Sequence, residues 1–490
     1  MRPLTRSCFS RRRPTCIGLR SRLAMFPLLA LLMQVSEAGD WTQFRGPNGS
    51  GVSTTRDLPH RFGPQENVHW KTSLPPGHSS PVFSRESIFV TGFQGEILST
   101  TALDRKTGEI QWTRNVARNR EGKLHRDNSP ASPSPVTDGS NVYVFFQDLG
   151  LLAYDARGNE LWRVSLGPYN TPFGIAASPI LAGNHVVQVC DGESGSFMVA
   201  VDKETGRIAW RNERPLMRRG FSTPVLYRPD GGELQVLVPG SFQLVAYSAA
   251  TGEKIWWSRG LTWQMKPTPV MDGDFAYVLG WAGAADPGNQ EDVIPFDEAL
   301  KKHDGNGDRK LSEEEAEGAI SPNFSTSWRN MDLDLDGYLG ERDWELFRMR
   351  RASVNSIQRI RLGGTGDVTG TARGWQYHKS LPNVPSPLLY DGVIYLIKDG
   401  GIVTALDPDT GAVLKLARLT EAMSRYFASP VGGDGKVYLL GENGDVPVLK
   451  AGPEWEVLAV NRMGEDAYAT PALVDGKIYL RTVSALYCFD

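Results

Sequence analysis

Cysteine and histidine are scarce in this sequence. Four of the 490 residues are cysteines, and two of these, Cys8 and Cys16, lie close to the N-terminus. Cys190 and Cys488 are too few for a scaffold held together by disulfides, and we expect each to be a small buried apolar residue. The seven histidines are scattered and there is no Gly-x-Ser-x-Gly motif, so the sequence presents no catalytic triad.

A strong charge of one sign and a long apolar run are also missing. The formal net charge of -3 gives no basis for a nucleic-acid partner, because such proteins carry a basic patch. The apolar run at residues 23–35 has 13 residues, which is too short to span a membrane. The composition, 40% hydrophobic and 22% charged, is typical of a large globular protein, which we expect to be a monomer.

The first 38 residues have the three-part order of a secretory signal peptide. Seven arginines precede the apolar run, and Ser36-Glu37-Ala38 supplies small residues for cleavage. We therefore expect cleavage after Ala38 and export to the periplasm or the extracellular space. Cys8 and Cys16 precede the apolar run, so neither is placed for lipid attachment. Arg11-Arg12 leaves the twin-arginine route open beside the general secretory route.

A repeated unit fills most of the remaining chain. Each unit begins with Ser or Thr followed by Pro, and six of the seven spacings between these anchors lie near 45 residues. The anchors are Ser80, Ser134, Ser178, Thr223, Thr268, Ser386, Ser429 and Thr470. Within a unit, four short β-rich runs alternate with tight turns such as Asp138-Gly139. Four strands per unit, without the 3.6-residue period of helices, predict an all-β fold with eight propeller blades.

Turn residues and tryptophan mark the end of each unit. Asp104 can bond its own downstream backbone, and Gly108 can take the positive φ that a tight turn demands. A final strand that finishes on tryptophan follows the glycine by four residues, at Trp112, Trp162, Trp210 and Trp256. Because a tryptophan buries ~150–250 Å², we expect one per blade to join neighbouring blades.

The two ends of the repeat region complement each other. Residues 486–490 resemble the third-strand residues 151–155, so the eighth unit lacks a final strand. Residues 67–71 resemble the final-strand residues 109–113 but have no preceding unit. We predict that this N-terminal strand completes blade eight and closes the ring, which removes exposed sheet edges.

The spacing of 118 residues between Thr268 and Ser386 places 73 extra residues in blade five. Within them, residues 304–315 and 332–343 carry oxygen-bearing side chains at the spacing of EF-hand loops, which surround Ca²⁺ with six to eight oxygens. The predicted ligands are Asp304, Asn306, Asp308, the Lys310 carbonyl, Ser312 and Glu315 in the first loop, and Asp332, Asp334, Asp336, the Tyr338 carbonyl and Asp343 in the second.

Both loops depart from the ideal EF-hand pattern. Arg309 takes the sixth position of the first loop, where glycine eases a positive φ. Asp343 closes the second loop with a side chain one methylene shorter than glutamate. We expect residues 296–303 and 313–320 to form flanking helices and at least one Ca²⁺ to bind weakly to moderately. The alternative is an acidic helical hairpin that binds no metal.

These signals divide the chain into five parts. They are the signal peptide at 1–38, an N-terminal segment with the closing strand at 39–79, blades one to four and the first part of blade five at 80–285, the EF-hand pair at 286–352, and the rest of the propeller at 353–490.

The unit also resembles a known family. Ala-x-Asp-x-x-Thr-Gly-x-x-x-Trp at 102–112 and 200–210, and with Ser248 for Asp at 246–256, resembles the tryptophan-docking repeat of pyrroloquinoline-quinone (PQQ) type propellers. Residues 40–49 are similar to the start of secreted bacterial PQQ-binding-like propeller proteins. The resemblance covers residues 40–490 apart from the insertion. It implies either a PQQ-dependent dehydrogenase or a non-enzymatic scaffold such as the BamB outer-membrane assembly factor.

The residues favour the scaffold. PQQ dehydrogenases of this fold carry an adjacent Cys-Cys pair, and quinohaemoproteins add a Cys-x-x-Cys-His site; this sequence has neither. We therefore expect a binding or scaffold module with Ca²⁺ and without PQQ, whose ligand or protein partner occupies the propeller channel or faces. The alternative is a PQQ-dependent or other oxidoreductase with its site in the central channel. BamB is a lipoprotein, and no cysteine stands at the predicted cleavage site here.

Two polar segments are weaker site candidates. The run His125-Arg126-Asp127-Asn128 has the side chains of a binding rim, but a loop whose side chains cap turns is the favoured interpretation. Asp191 is expected to be a turn residue and not an acid catalyst. The sequence assigns no catalytic residue.

Overall fold

Eight β-sheets form the fold in the computed structural model, which describes residues 41–319 and 328–490. Their strands are antiparallel except for one short strand that joins the fourth sheet in parallel. The sheets are the blades of an eight-bladed β-propeller, so the fold predicted from the repeat is confirmed. The predicted signal peptide, residues 1–38, lies outside the described residues. No helix within the described ranges is both long and apolar enough to cross a membrane.

The strands follow the order of the repeats along the chain, beginning with an N-terminal strand, β1 (Val68–Ser73). Blades one and two contain β2 (Val82–Phe83), β3 (Ser87–Gln94), β4 (Ile97–Asp104), β5 (Ile110–Ala117), β6 (Val136–Thr137), β7 (Asn141–Phe146), β8 (Gly150–Asp155) and β9 (Glu160–Ser165). Blades three and four contain β10 (Ile180–Ala182), β11 (His185–Cys190), β12 (Phe197–Asp202), β13 (Ile208–Glu213), β14 (Val225–Tyr227), β15 (Gln235–Gly240), β16 (Gln243–Ser248) and β17 (Lys254–Arg259).

Blade five contains the insertion. It comprises β18 (Val270–Asp272), β19 (Phe275–Gly280), the inserted helices α1 (Phe296–His303), α2 (Glu313–Ala319) and α3 (Glu341–Ala352), then β20 (Ser356–Arg361), β21 (Gly366–Asp367), α4 (Thr369–Ala372) and β22 (Arg373–Tyr377). Blades six to eight contain β23 (Leu388–Tyr390), β24 (Val393–Lys398), β25 (Ile402–Leu406), β26 (Val413–Arg418), β27 (Val431–Gly433), β28 (Lys436–Tyr438), β29 (Asp445–Lys450), β30 (Glu456–Arg462), β31 (Ala472–Val474), β32 (Lys477–Arg481) and β33 (Ala485–Phe489). Short 3-10 turns lie at Pro47–Gly49 and Trp328–Asn330.

The N-terminal strand closes the ring, as predicted. β1 runs antiparallel to β33, with Trp70 opposite Cys488 and Lys71 opposite Tyr487. Blade eight therefore combines β31, β32 and β33 with a strand from the other end of the described chain. Ring closure leaves no blade without its fourth strand, which protects the sheet edges that an open array would expose.

The Ser/Thr-Pro anchors tie neighbouring blades together. At six blade junctions of the described chain, an anchor hydroxyl accepts the backbone N–H of the anchor in the preceding blade at 2.9–3.0 Å. Ser80 N–H donates to Ser134 Oγ in this way, and Ser134 N–H donates to Ser178 Oγ. All eight anchors are buried. The repeated hydroxyl therefore satisfies a buried donor and links two blades at once.

Tryptophans form a second set of contacts between neighbouring blades, in addition to the anchors. Trp112 of blade one donates its indole N–H to the Ala156 carbonyl of blade two (3.0 Å), and its ring covers Gly158 so closely that a Cβ there would lie 2.6 Å away. Trp162 and Trp210 make the equivalent contacts with blades three and four. The predicted joining role is thus confirmed for these three residues.

Two details of the tryptophan prediction were wrong. The tryptophan stands near the start of the fourth strand, because Trp112 is the third residue of β5 and the strand continues to Ala117. Trp256 donates its indole N–H to Gln235 Oε1 within its own blade (3.0 Å). Blade five has no equivalent turn for Trp256 to contact. Its third and fourth strands are connected through β21 and α4 in place of the short turn, and β21 pairs with β17.

Alternating strand directions place two kinds of connection on opposite faces of the ring. The connections between first and second strands, and those between third and fourth strands, lie on one face. The connections between second and third strands, and those from blade to blade, lie on the other, the insertion face. The insertion joins the second strand β19 to the third strand β20 and so belongs to this face. Its ends meet at Asn355, whose side chain forms two hydrogen bonds with the Ala282 backbone (2.8 and 2.9 Å).

The segment before β1, residues 41–62, crosses the opposite face. Its hydrogen bonds reach blades one, two, four, six and seven. Arg45 is fully buried and donates to the Pro387 carbonyl of blade six (2.8 Å). Because these contacts lie on different sides of the ring, the segment closes that end of the central channel.

Candidate functional site

The first loop (residues 304–315) follows α1 directly and ends inside α2. Asp304 accepts the backbone N–H groups of Gly307 (2.7 Å) and Arg309 (3.0 Å), so the chain wraps around this first carboxylate. Glu315 reaches back across the loop and accepts the N–H of Gly305 (2.9 Å). Arg309 adopts a φ of 63°, the left-handed conformation expected at the sixth position.

The other predicted ligands of the first loop continue this arrangement. Asn306 Oδ1 accepts the N–H of Asp308 (2.8 Å), and Asp308 Oδ1 accepts the N–H of Lys310 (2.9 Å). Ser312 donates its backbone N–H (2.9 Å) and its hydroxyl (3.0 Å) to Glu315. These bonds stabilise the ionised form and lower the pKa of Glu315, so this carboxylate is negative at neutral pH.

The second loop (residues 332–343) gathers three carboxylates at one point. One oxygen atom from each of Asp332, Asp334 and Asp336 lies within 4.8 Å of the other two. Asp332 is buried and accepts the N–H of Gly337 (3.0 Å), whose φ of 86° makes the sharp turn at the sixth position. Within the described residues, the first loop forms no comparable group of three carboxylates.

The last two predicted ligands of the second loop are Tyr338 and Asp343. Tyr338 donates its backbone N–H to Asp336 Oδ1 (2.9 Å). Asp343 lies in the first turn of α3 and is 4% exposed. Burial, together with the nearby Asp334 carboxylate, raises the pKa of Asp343 to about 6. Both causes disfavour its negative charge and outweigh the neighbouring Arg342 guanidinium, which lies 3.4 Å away.

A short β-bridge pairs the two loops. Leu311 and Leu339, the eighth residue of each loop, exchange both backbone hydrogen bonds (3.1 and 2.8 Å). Both leucines are fully buried in an apolar core formed by the helices of the insertion. Lys310 Nζ also contacts Asp336 across the pair (2.9 Å). Each loop therefore supports the conformation of the other.

Buried charged and aromatic side chains fix the insertion to the propeller. Arg219 of the connection between blades three and four binds Glu193 and donates to Asn330 Oδ1 (3.1 Å), just before the second loop. Trp263 lies within reach of both Arg219 and Arg350 of α3, with the Arg350 guanidinium 4.3 Å from its ring centre. The second loop is thus held directly against the insertion face.

The second candidate site is the axial cavity, a space of about 370 Å³ within the ring. Phe44 of the N-terminal segment and seven of the eight anchors line its closed end, and connections of the insertion face line its mouth. The residues two positions before each anchor also line it; these are His78, Ser132, Ala176, Phe221, Lys266, Val384, Phe427 and Tyr468. The volume suits a small ligand.

Aromatic rings make up much of the cavity wall. Phe173 and Phe221 meet edge to face with ring centres 6.1 Å apart. On another side, His78 stacks on Tyr468 at 4.2 Å. Burial and the nearby Arg481 lower the pKa of His78 to about 4, so this imidazole is neutral at neutral pH.

Lys266 brings a cationic group to the cavity. Its ammonium donates hydrogen bonds to Gln264 Oε1 (3.0 Å) and to the Trp281 carbonyl (3.1 Å). Burial, together with the cation of Arg219, lowers the pKa of Lys266 to about 7. No carboxylate in the described part of the chain forms an ion pair with this ammonium.

The polar run at residues 125–128 has a larger role than capping turns. His125, Asp127 and Asn128 all line the mouth of the cavity. Asn128 does support its own loop, since it donates to the Phe173 carbonyl (2.8 Å). Asp127 binds Arg425 from the connection between blades six and seven (2.8 Å). The side chains of His125 and Asn128 also accept the backbone N–H groups of Asp127 (3.3 Å) and Ser129 (2.8 Å), as the favoured interpretation expects, and the same loop lines the cavity.

The remaining sequence candidates have structural roles. Asp191 lies in the connection between β11 and β12, and it also forms a fully buried ion pair with Arg214 through two N–H···O contacts (2.8 and 2.9 Å), which the sequence did not predict. Cys190 and Cys488 are buried free thiols, as expected. Burial raises the pKa of each thiol to about 12, which makes both inert as nucleophiles.

The cavity residues could not be recognised from a sequence motif. Lys266 and Phe221 belong to no motif, and the equivalent positions of the other units carry other residue types. Their position does repeat, because each lies two residues before an anchor. Aligning the eight units on their anchors would have identified this ring of positions from the sequence.

A family model described as outer membrane protein assembly factor BamB matches residues 63–197, 101–284 and 354–490. BamB of Burkholderia pseudomallei (strain K96243) is 26% identical over 181 residues, or 36% of this chain. The chain spans 41% of the length of that relative.

Solved structures are similar in fold. BamB from Moraxella catarrhalis has a TM-score of 0.54 at 13% identity, covering 86% of this chain and 98% of that chain. The quinohemoprotein alcohol dehydrogenase ADHIIG from Pseudomonas putida HK5 has a TM-score of 0.53 at 14% identity, covering 93% and 80%. The enzyme of the same type from Comamonas testosteroni has a TM-score of 0.53 at 14% identity, covering 92% and 80%. At these identities the likeness shows the fold alone.

The family model covers both parts of the propeller and leaves residues 285–353, the insertion, unmatched. Because the match extends over most of the chain, this chain belongs to the family of the outer membrane protein assembly factor BamB.

Proposed function

We propose that this chain is an exported binding or scaffold protein, with a propeller that takes a ligand in its axial cavity and an insertion that binds Ca²⁺ as an EF-hand pair. The pairing of the two acidic loops through Leu311 and Leu339 carries the proposal. The order of basic, apolar and small residues in 1–38 supports export to the periplasm or beyond. The family's description as an assembly factor supports the scaffold role.

The donor set of the insertion fits calcium. Hard oxygen donors are the ligands that Ca²⁺ prefers, and the predicted ligands of both loops are carboxylate, amide, hydroxyl and carbonyl oxygens. Arg309 and Gly337, the sixth residues of the two loops, both have positive φ, and this turn folds the chain around the first carboxylate. Bound Ca²⁺ would neutralise the gathered carboxylates of Asp332, Asp334 and Asp336.

Titration calorimetry on the chain without residues 1–38 tests this proposal. We expect heat of Ca²⁺ binding with a dissociation constant on the order of 10⁻⁴ to 10⁻³ M, the range of extracellular EF-hand modules. The double substitution Asp304→Ala plus Asp332→Ala should abolish it, because each loop loses the carboxylate around which it is wrapped.

The matched control removes two acidic side chains from the same insertion outside the ligand positions. Glu313→Ala plus Glu314→Ala should leave the heat and its stoichiometry unchanged, since both residues lie in the first turn of α2. A wild-type chain that gives no heat in 10 mM Ca²⁺ would contradict the proposal. So would an equal loss of heat in the two double variants, since general acidity would then explain binding.

The residues give less support to a PQQ-dependent oxidoreductase. PQQ enzymes of this fold resemble one another in an adjacent cysteine pair, whereas Cys190 and Cys488 lie in blades three and eight. The fold similarity to the quinohemoprotein dehydrogenases does not transfer their chemistry at 14% identity. The cavity is therefore assigned to binding.

A further inference from the structure

We propose that the axial cavity binds a ligand with a flat apolar body and a single carboxylate, and that Lys266 meets the carboxylate. This inference rests on the proposed binding role of the cavity and adds the chemical class of its ligand. It depends on the geometry around one ammonium group and on what surrounds it. The insertion and its calcium ligands play no part in it.

Lys266 has a hydrogen-bonding position to spare. With a pKa of about 7 the side chain is about half protonated at neutral pH, and a bound carboxylate would favour the protonated form. That ammonium group has three N–H donors, and Gln264 Oε1 and the Trp281 carbonyl account for two of them. Lys266 lines the cavity and is half-buried, so part of its side chain is open to the space that a ligand can enter. The two acceptors are neutral, and they hold the group in place without neutralising its charge.

The charges near Lys266 favour an anion. Arg219, which lowers the pKa of Lys266, is already paired with Glu193, so Lys266 is the cationic group that a ligand can reach here. Two acidic residues line the cavity: Asp127 is bound to Arg425, and Asp399 accepts the backbone N–H of Tyr426 (2.8 Å). A carboxylate entering the cavity would therefore find an ammonium group without an acidic partner among the described residues. A charge-assisted hydrogen bond of this kind is stronger than one between neutral groups.

The walls around Lys266 determine the rest of the ligand. Trp281 lies closest, with its ring centre 5.7 Å from Lys266 Nζ. Phe221 donates its backbone N–H to the Met265 carbonyl (2.8 Å), which places its connection next to that of Lys266, and Phe221 and Phe173 line the same cavity with their rings edge to face. Such rings favour a flat apolar body. The cavity of about 370 Å³ limits that body to a small molecule or a short peptide end.

The number of charges distinguishes this ligand from a polyanion. Of the eight equivalent positions before the anchors, Lys266 carries the only ammonium, and His78 is neutral at neutral pH. One ammonium can compensate one carboxylate, while each further buried carboxylate would lose its hydration without a partner. A tricarboxylate such as PQQ is therefore expected to bind less well than a monocarboxylate of similar shape.

Calorimetric titration of the full chain with 2-naphthoate and 2-naphthamide tests the inference. The two probes share shape and apolar area and differ in charge. We expect the wild type to bind the naphthoate about tenfold or more tightly, the ratio typical for a hydrogen bond to a charged group. Lys266→Gln should remove this preference and leave naphthamide binding unchanged, and Lys266→Arg should retain it.

Lys254 supplies the matched control. It also lies over a tryptophan, with Nζ 3.6 Å from the ring centre of Trp257, but on the fourth strand of blade four and away from the cavity. Lys254→Gln should therefore leave both affinities as in the wild type. Equal affinity of the wild type for the two probes, or equal losses in Lys254→Gln and Lys266→Gln, would overturn the inference.

Two further ligands identify the source of the carboxylate and separate this inference from the proposed function. Tighter binding of N-acetyl-Phe-Phe than of 2-naphthoate, with no binding of its C-terminal amide, would assign the site to a chain terminus; the reverse order would assign a small organic acid. Tighter binding of PQQ than of 2-naphthoate would overturn the single-carboxylate inference. PQQ-dependent reduction of a dye would overturn the binding function itself, and the calcium titration would be unaffected by either result.

Discussion

At the scale of single residues, the blade junctions depend on glycines that touch tryptophans. Gly108, Gly158, Gly206, Gly252 and Gly411 all have positive φ, and each lies against the tryptophan of the preceding blade. Two requirements therefore act on one residue: the left-handed backbone and the absence of a side chain. The sequence alone indicates the first requirement, because Thr-Gly marks a turn. The second requires knowledge of which blade neighbours which.

Gly158→Ala separates these two requirements. Its φ of 78° makes any side chain strained by about 1–3 kcal/mol, and the new Cβ would also lie 2.6 Å from the Trp112 ring. Gly139→Ala is the matched control, with φ of 91° and no atom within 4 Å of the added Cβ. We expect Gly158→Ala to lower the melting temperature clearly more than Gly139→Ala. Equal melting temperatures would mean that tryptophan docking tolerates a side chain.

Lys266 illustrates a residue that local sequence could not single out. It follows a short connection and belongs to no motif, and its significance comes from seven other connections that surround the same space. Its low pKa also has a non-local cause, since burial and Arg219 produce it. In contrast, the acidic residues of the two loops could be proposed as ligands from the sequence, because their spacing along the chain follows a known pattern.

At the scale of elements, the closing strand β1 is the best test of the ring. Deleting residues 65–74 would remove the partner of β33 and expose its edge. It would also remove Trp70, which packs against Gly108 of blade one. We expect a fall in melting temperature far larger than that caused by removing Asp490 alone, which is exposed.

Complementation distinguishes loss of this strand from general damage. A synthetic peptide of residues 64–75 should restore much of the melting temperature of the deletion variant, because the edge of β33 is then paired again. A peptide of the same composition in scrambled order should have no effect. A deletion variant as stable as the intact chain would contradict closure by β1.

The sequence predicts elements well where a repeat or a metal-loop pattern specifies them. Helix α1 has the bounds predicted for residues 296–303, and β1 was identified from its resemblance to β5. β21 and α4 were not predicted, because they occur once and replace a turn that the other blades share. Their location depends on pairing with β17 of the neighbouring blade, which no local signal specifies.

At the scale of the whole molecule, the insertion and the propeller share an apolar cluster. Phe242 and Trp263 of the propeller pack with Leu333 and Leu346 of the insertion, and all four are buried. Binding energy gained in the second loop can therefore stabilise the joint structure, because unfolding one part uncovers the other. The insertion therefore shares part of its apolar core with the propeller and is not a separately packed domain.

Trp263→Ala should weaken this connection. We expect Ca²⁺ to raise the main melting transition of the wild type and to lose most of this effect in Trp263→Ala, as the insertion unfolds separately. Trp455→Ala is the control, since Trp455 is equally exposed at 4% but belongs to a cluster of blades six and seven. It should lower the melting temperature and retain the calcium shift. A full calcium shift in Trp263→Ala would show that the cluster does not transmit it.

The pairing of β1 with β33 also determines when the ring can close during synthesis of the chain. A ribosome releases β1 first and β33 several hundred residues later, so the nascent chain remains an open arc until Ala485–Phe489 has been made. Every chain that stops before that point retains two unpaired edges, which invite association with other chains. Premature termination in blade eight should thus be as harmful as the loss of several blades, because either way the circle never closes.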